Sequence, residues 1–233
     1  MIETKTQKTE LKLKSIAKAI VLSISVLAFW GIPLFLISGT WYYWNAWLFI
    51  LTVAIAWGII QLYLAKNDQS LFEKRQKKTE KKLSQQIILF LSTVSLLLAI
   101  IISGFDYRYD WSRIPVFLSI LFSLVMMVGF VMMFFVLKQN SYASRIIEIQ
   151  EKQMVIDKGL YSWVRHPMYL SIIIQFIFTP IVLGSWYAFI PIIFVPFLLT
   201  FRINYEEKEL QKGLEGYDLY MKKVKYKLIP FIW

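Results

Sequence analysis

Five apolar blocks divide this chain, at residues 19–38, 46–65, 85–105, 115–137 and 168–202. The first four each approach the roughly 20 residues that carry a helix across a hydrocarbon core. The fifth is too long for one pass. Gly184 and Ser185 near its middle, followed by Pro191 and Pro196, predict a tight helical hairpin with a kinked return limb. The expected fold is all-α, a polytopic membrane helical bundle of about six spans that ends in a helical hairpin.

Composition agrees. Hydrophobic residues make up 58% of the 233, with nine Trp, thirteen Tyr and eighteen Phe to furnish interfacial belts and helix packing. The formal net charge of +11 does not point to nucleic acid, because the cations cluster beside the apolar blocks and so serve topology and attraction to anionic lipid. With no cysteine, disulfides, thiolate metal sites and a thiol nucleophile are excluded, and a single histidine disfavours a protein-built metal site.

The lysines set the orientation. Residues 1–18 carry Lys5, Lys8, Lys12, Lys14 and Lys18, and residues 66–82 carry Lys66, Lys74, Arg75, Lys77, Lys78, Lys81 and Lys82. Both segments read as cytoplasmic by the positive-inside rule, with a lipid-sensing polybasic patch as the second reading of 66–82. The turn at 39–45 holds Trp41, Tyr42, Tyr43 and Trp44 without Lys or Arg and fits the opposite interface. The first block resembles a signal peptide, but its spanning length predicts a retained helix, kinked at Pro33. Six spans then leave both termini cytoplasmic.

Residues 106–111, with mixed charges, suit an external loop. Met126, Met127, Met132 and Met133 in the fourth block read as adaptable helix packing, with a greasy substrate groove as the alternative. The polar segment 138–163, where isoleucines mix with charges, fits a surface-hugging cytoplasmic stretch. Residues 204–233 are too polar to span, and their apolar end, Leu228 to Trp233, suits tucking against the bundle or the interface.

Candidate chemistry centres on residues 159–170, where the only histidine runs into the last apolar block. Pro167 biases His166 away from helical dihedrals and suits the first turn of a helix, so Arg165 and His166 are expected at a positive N-terminal mouth that favours anions. Arg202 and Glu206 stand one helical turn apart and share a face. They read as an ion pair capping a span or as functional groups. The hairpin between the clusters goes out and back across one bilayer, which returns both to one membrane face.

The ordered set Gly159-x-Tyr161-x-x-x-Arg165-His166-Pro167-x-Tyr169, then Arg202-x-x-x-Glu206-Glu207, then Tyr217-x-x-Tyr220 and Leu228-Ile-Pro-Phe-Ile, resembles the isoprenylcysteine carboxyl methyltransferase family of integral membrane enzymes. The likeness covers about the last hundred residues. It implies a single membrane methyltransferase domain over 1–233, with a four-span scaffold at 1–137 and a cofactor-binding and catalytic half at 138–233. It implies a cytoplasmic pocket for S-adenosylmethionine formed by Gln153, Gly159, Tyr161, Arg165, His166, Pro167, Tyr169 and Glu207, with Arg202 and Glu206 at the reacting centre. Two departures stand out: Gln153 and Ser171 occupy positions where the family commonly has histidine and glycine. Gln153 can hydrogen-bond but cannot titrate.

The chemistry is compatible with these residues. A helix mouth and an arginine suit the cofactor's carboxylate, an acidic side chain its ammonium, and aromatic faces such as Tyr161 and Tyr169 its sulfonium. The implied partner is a lipid-like or prenylated substrate that enters from the membrane. A carboxylate acceptor needs no strong base, whereas the alternative, a phospholipid amine, must first lose a proton. A non-catalytic lipid-binding or partner-binding protein is the rival from another class, disfavoured by so many ionisable groups at one membrane face.

Overall fold

A computed structural model describes residues 2–76, 80 and 82–233, with residues 2–12 as backbone only. Lys77, Lys78 and Lys81 of the basic segment, and the side chains of Lys5, Lys8 and Lys12, lie outside the described residues. Regular structure among those described is entirely helical: α1 (Ile2–Ser38), α2 (Trp44–Asn67), α3 (Gln69–Lys74), α4 (Leu83–Tyr109), α5 (Val116–Gln139), a 3₁₀ turn (Gly159–Ser162), α6 (Pro167–Val182), α7 (Phe189–Ile192), α8 (Phe194–Gly213) and α9 (Tyr217–Lys223). The all-α membrane bundle expected from the apolar blocks is what forms.

Five segments are long and apolar enough to cross a membrane: Leu13–Ser38, Trp44–Asn67, Leu83–Tyr109, Val116–Gln139 and Phe189–Gly213. The outgoing limb of the hairpin, α6, has only 16 residues, about 24 Å of helix against a core of roughly 30 Å. The six expected spans are therefore five of full length and one short. Bulky apolar side chains such as Leu36, Phe90, Phe117, Leu124, Phe197 and Phe201 point outward and exposed, as hydrocarbon contact requires. Inside, α1, α2 and α5 supply most of a core that includes Leu34, Phe49, Ile60, Met126 and Phe130.

A short helix that ends inside a bundle leaves its last carbonyls away from water and needs donors for them. Neighbouring helices provide these. Ser119 Oγ donates to Ile181 O at 2.8 Å, Asn45 Nδ2 donates to Val182 O at 2.9 Å and to Ser119 Oγ at 3.1 Å, and the Tyr43 hydroxyl donates to Leu183 O. The chain then reverses at Gly184, whose φ of +79° favours glycine and whose added Cβ would stand 3.1 Å from the Asn45 carboxamide.

The same end of the bundle departs from the sequence reading. Residues 106–109 continue α4 instead of forming an external loop, and Asp106 is buried. Its carboxylate accepts from Ser112 N at 2.7 Å, from Ser112 Oγ at 2.6 Å and from the Ser185 hydroxyl, so one acid ties the α4–α5 connection to the hairpin turn.

At the other end, residues 140–158 form no helix. They fold back on themselves through bonds such as Gln150 Nε2 to Tyr142 O, and Glu80 Oε2 holds Ile147 N at 3.1 Å. The segment expected to hug the surface instead buries Ala143, Ser144 and Ile146 against the bundle. The tail tucks in through Leu228 and Trp233, which pack with Tyr169, Ile173, Val195, Leu199 and Ile203, while Ile229, Phe231 and Ile232 between them stay exposed.

The cap on α6 can be tested by Asn45→Leu, which strands Val182 O and crowds Gly184. Unfolding in mixed detergent should show a loss of about 1–3 kcal/mol, the cost of a buried carbonyl without a partner. An unchanged unfolding midpoint would show that the hairpin needs no such donor.

Candidate active site

The entry to α6 follows from two residues. His166 is its N-cap, with φ −123° and ψ 58°, and Pro167 takes the first helical position, where a missing N–H costs nothing. Just before the helix, Arg165 N donates to Tyr226 O at 2.9 Å and His166 N to Lys227 O at 2.8 Å. The C-terminal tail is thereby laid alongside the mouth of α6.

Glu207, buried on α8, joins these parts. Its Oε1 accepts from Arg165 Nε at 2.6 Å and lies 3.2 Å from His166 Nε2, while Lys227 Nζ stands 2.9 Å from Oε2. Arg165 Nη1 also donates to Val224 O and Lys225 O, at 2.8 and 2.9 Å. The clusters separated by the hairpin meet directly here. Arg165 is neither snorkelling nor free; its charge is answered by Glu207 and its donors hold the tail.

Arg202 and Glu206, on one face of α8, meet through a third residue. Tyr169 Oη accepts from Arg202 Nε at 3.1 Å and donates to Glu206 Oε2 at 2.5 Å. The rest of the Arg202 guanidinium is occupied too: Nη1 reaches Gln85 Oε1 at 3.3 Å, and Nη2 reaches Arg145 O at 2.9 Å and Glu80 Oε2 at 3.5 Å.

Two cavities flank Tyr169. One is a polar cleft lined by Gln153, Tyr161, Arg165, His166, Pro167, Tyr169 and Glu206, closed on one side by the 140–156 segment and on the other by Glu209, Leu210, Leu214, Tyr217 and Tyr220. The other is an apolar chamber of about 500 Å³ bordered by Trp30, Trp57, Phe130, Met126, Met133, Ile172 and Arg202. Ser144, Met168 and Tyr169 line both and form the partition. Met126 and Met133 therefore pack in the core and also face a greasy cavity.

Of the remaining sequence-derived candidates, Gly159 and Glu207 stand behind the cleft wall. Gly159 has φ +61°, and a Cβ there would come within 2.5 Å of the Gln139 amide, whose Oε1 holds Leu160 N at 3.1 Å. That glycine shapes the 3₁₀ turn that presents Tyr161. Asn140 Nδ2 donates to Tyr161 Oη at 2.9 Å, and Tyr220 Oη donates to Tyr161 O at 2.7 Å. Gln153 Oε1 accepts from Gln150 N at 2.9 Å, and Ser171 Oγ donates to Met168 O at 2.7 Å.

Burial pushes the Tyr161, Tyr217 and Tyr220 hydroxyls above their ordinary range, so each keeps its proton near neutral pH, and Tyr220 donates it to the Tyr161 carbonyl. Tyr217 is the informative one: its Oη is buried, borders the cleft and has no hydrogen-bond partner among the described residues. The motif pattern marked Tyr217 without assigning it a role, and nothing local distinguished Glu80, Gln85, Asn140 or Lys227.

Residues 119–212 match the model of the isoprenylcysteine carboxyl methyltransferase (ICMT) family. The matched stretch runs from α5 through most of α8 and takes in the 3₁₀ turn, the α6 entry, Arg202, Glu206 and Glu207. It bears out the resemblance read from the sequence and supports a membrane methyltransferase. Comparison with curated proteins gives no match.

Arg165→Ala removes one partner of a buried pair and leaves Glu207 short of its closest donor. The expected loss is about 3–5 kcal/mol of stability, seen as a lowered melting temperature and as earlier proteolysis within 214–233. A variant as stable and protease-resistant as the wild type would show that Arg165 does not hold the tail.

Proposed function

We propose that the chain transfers a methyl group from S-adenosylmethionine, bound in the polar cleft from the cytoplasm, to an amphiphile whose apolar part lies in the chamber. The best-fitting acceptor is a prenylcysteine-type carboxylate. The observation that carries this reading is the shared wall: a polar cleft and an apolar chamber abut at Ser144, Met168 and Tyr169. Residues 1–137 then serve as more than scaffold, because α1, α2, α4 and α5 build much of the chamber.

The residues of the cleft fit the cofactor by donor set. Tyr217 Oη offers a buried donor in need of an acceptor, Glu206 and Glu209 suit an ammonium, and Ile146, Val155, Leu210 and Leu214 offer apolar faces to a base. At about 100 Å³ the cleft is smaller than the ~300 Å³ or more of typical ligand pockets, so binding requires the cleft to widen. When bound, the cofactor supplies an electrophilic methyl on a positively charged sulfur.

The chain's own residues then orient and shield. Arg202 fixes the Tyr169 hydroxyl, which fixes one Glu206 oxygen, so the partition presents a single arrangement to both cavities. The mostly apolar lining of the chamber disfavours water. That favours a step in which donor and acceptor charges cancel. Arg165, His166 and Glu207 hold the tail that closes the cleft. The amine reading draws support from one contact: Glu206 faces the cleft and already accepts a proton donor, so it is placed to serve as a base.

Single-turnover methyl transfer with cofactor saturating separates the two. A carboxylate acceptor, ionised above a pKa of roughly 4, should give a nearly flat rate between about pH 6 and pH 9. Tyr169→Phe should slow the step about ten- to a hundredfold, the scale of a hydrogen bond to a charged group. Arg202→Lys should be nearly as harmful, because lysine cannot hold Tyr169, Gln85 and the Arg145 carbonyl together. A rate that climbs steeply with pH and collapses in Glu206→Gln would replace the carboxylate with a lipid amine.

A further inference from the structure

Three cations stand where the chamber meets the partition: Arg75, Arg145 and Arg202. Arg202 is spent, as its nitrogens serve Tyr169, Gln85, Glu80 and the Arg145 carbonyl. Arg75 differs on each count. Only its Nη1 is engaged, donating to Ala143 O at 2.9 Å and touching Met168 Sδ at 3.8 Å. No bond from its Nε or Nη2 is formed to the described residues, and no described carboxylate forms an ion pair with it.

A half-buried guanidinium in that position has an electrostatic debt. The charge that acts on it most is that of Arg145, of the same sign, and burial together with Arg145 pulls Arg75 down to about 10. It is still protonated at neutral pH, beside another cation and facing an apolar cavity. Uncompensated charge of this kind near a membrane interior is costly, and the arrangement becomes favourable when an anion joins it. The unused Nε and Nη2 lie on one edge of the guanidinium and form the planar fork that takes two oxygens at once.

We infer that Arg75 is the anion-binding residue of the chamber, holding the carboxylate or phosphate of an amphiphile by its Nε and Nη2 while the hydrocarbon chain runs between Trp57, Phe130 and Met133. Arg145 adds charge at the mouth. Arg202 is then a positioning residue for Tyr169 and does not hold the acceptor. This deepens the proposed function and rests on the chamber being the acceptor's place, but it is independent of which cofactor fills the cleft.

The test needs no methyl transfer. Trp30 and Trp57 border the chamber, so ω-brominated chains that enter it quench tryptophan fluorescence. The purified full chain in uncharged detergent, without cofactor, is titrated with brominated undecanoate, undecyl phosphate and undecanol. The two anionic probes should quench at concentrations roughly tenfold lower than the alcohol, a difference of about 1.4 kcal/mol. Arg75→Gln should abolish the preference and Arg75→Lys keep only part of it, because lysine retains charge without the fork. Thermal stability of Arg75→Gln should be unchanged or higher, since no acid loses a partner.

Inorganic phosphate should not displace the probes, which assigns the site to a headgroup carried on a chain. Displacement by free phosphate would overturn that assignment, and an anion preference that survives in Arg75→Gln would overturn the role of Arg75. Wild type that binds the alcohol as well as the acid, or none of the probes, would also overturn it. If the preference depends on Arg75 while no methyl transfer is found, the proposed function fails and the anion site stands.

Discussion

Arg165, His166 and Lys227 converge on the buried carboxylate of Glu207, and the cleft end of the molecule depends on that convergence. Arg165 comes from the entry of α6, Lys227 from the tail and Glu207 from α8. These are distant in sequence, and none would be held against the others by apolar packing alone at a polar interface. A buried pair is weak evidence of net stability, but breaking it is costly because the group left alone is an uncompensated buried charge. Here it fixes which stretch of tail covers the cleft and at what register. Tyr217 and Tyr220 are then brought in as walls, and Tyr220 in turn supports Tyr161.

The opposite end of the bundle uses a different solution to the same problem. Uncharged donors from α2 and α5 take the last carbonyls of α6, and Asp106 gathers the two connections around it. Polar groups thus close the helical hairpin at both ends, and apolar packing fills the length between. A hairpin limb too short to span a bilayer unaided can persist because its last carbonyls find side-chain donors in an otherwise apolar setting.

Length and hydropathy made the helices legible, since a run of some twenty apolar residues has few other uses. Pro167 after His166 marked the start of α6 within a residue, and the spacing of Arg202 and Glu206 put them on one face. That Tyr169 would sit between them was not legible, and neither was the choice of Glu207 over Glu206 as partner of Arg165. Both depend on how α6 and α8 rotate against each other, which local pattern does not encode. Arg75 was hidden for another reason: in a basic run it reads as one more topological cation, and only the fold of 140–158 sets it against Ala143 and Met168. Asp106 was misjudged because charges beside an apolar block are usually solvated, and its partners, Ser112 and Ser185, carry no signal of their own.

If the chain acts on an amphiphile as proposed, the pinning of α6 has a consequence for which ones can react. With Arg165 and His166 tied to the tail at one end and Ile181, Val182 and Leu183 held by side chains at the other, α6 is anchored at both ends and Tyr169 keeps one level between those anchors. The partition would then work as a depth gauge. An amphiphile whose reactive group naturally rests at that level reaches it without dragging headgroup into hydrocarbon or chain into water, and one that floats higher or lower is discriminated by solvation before any contact with the protein is made.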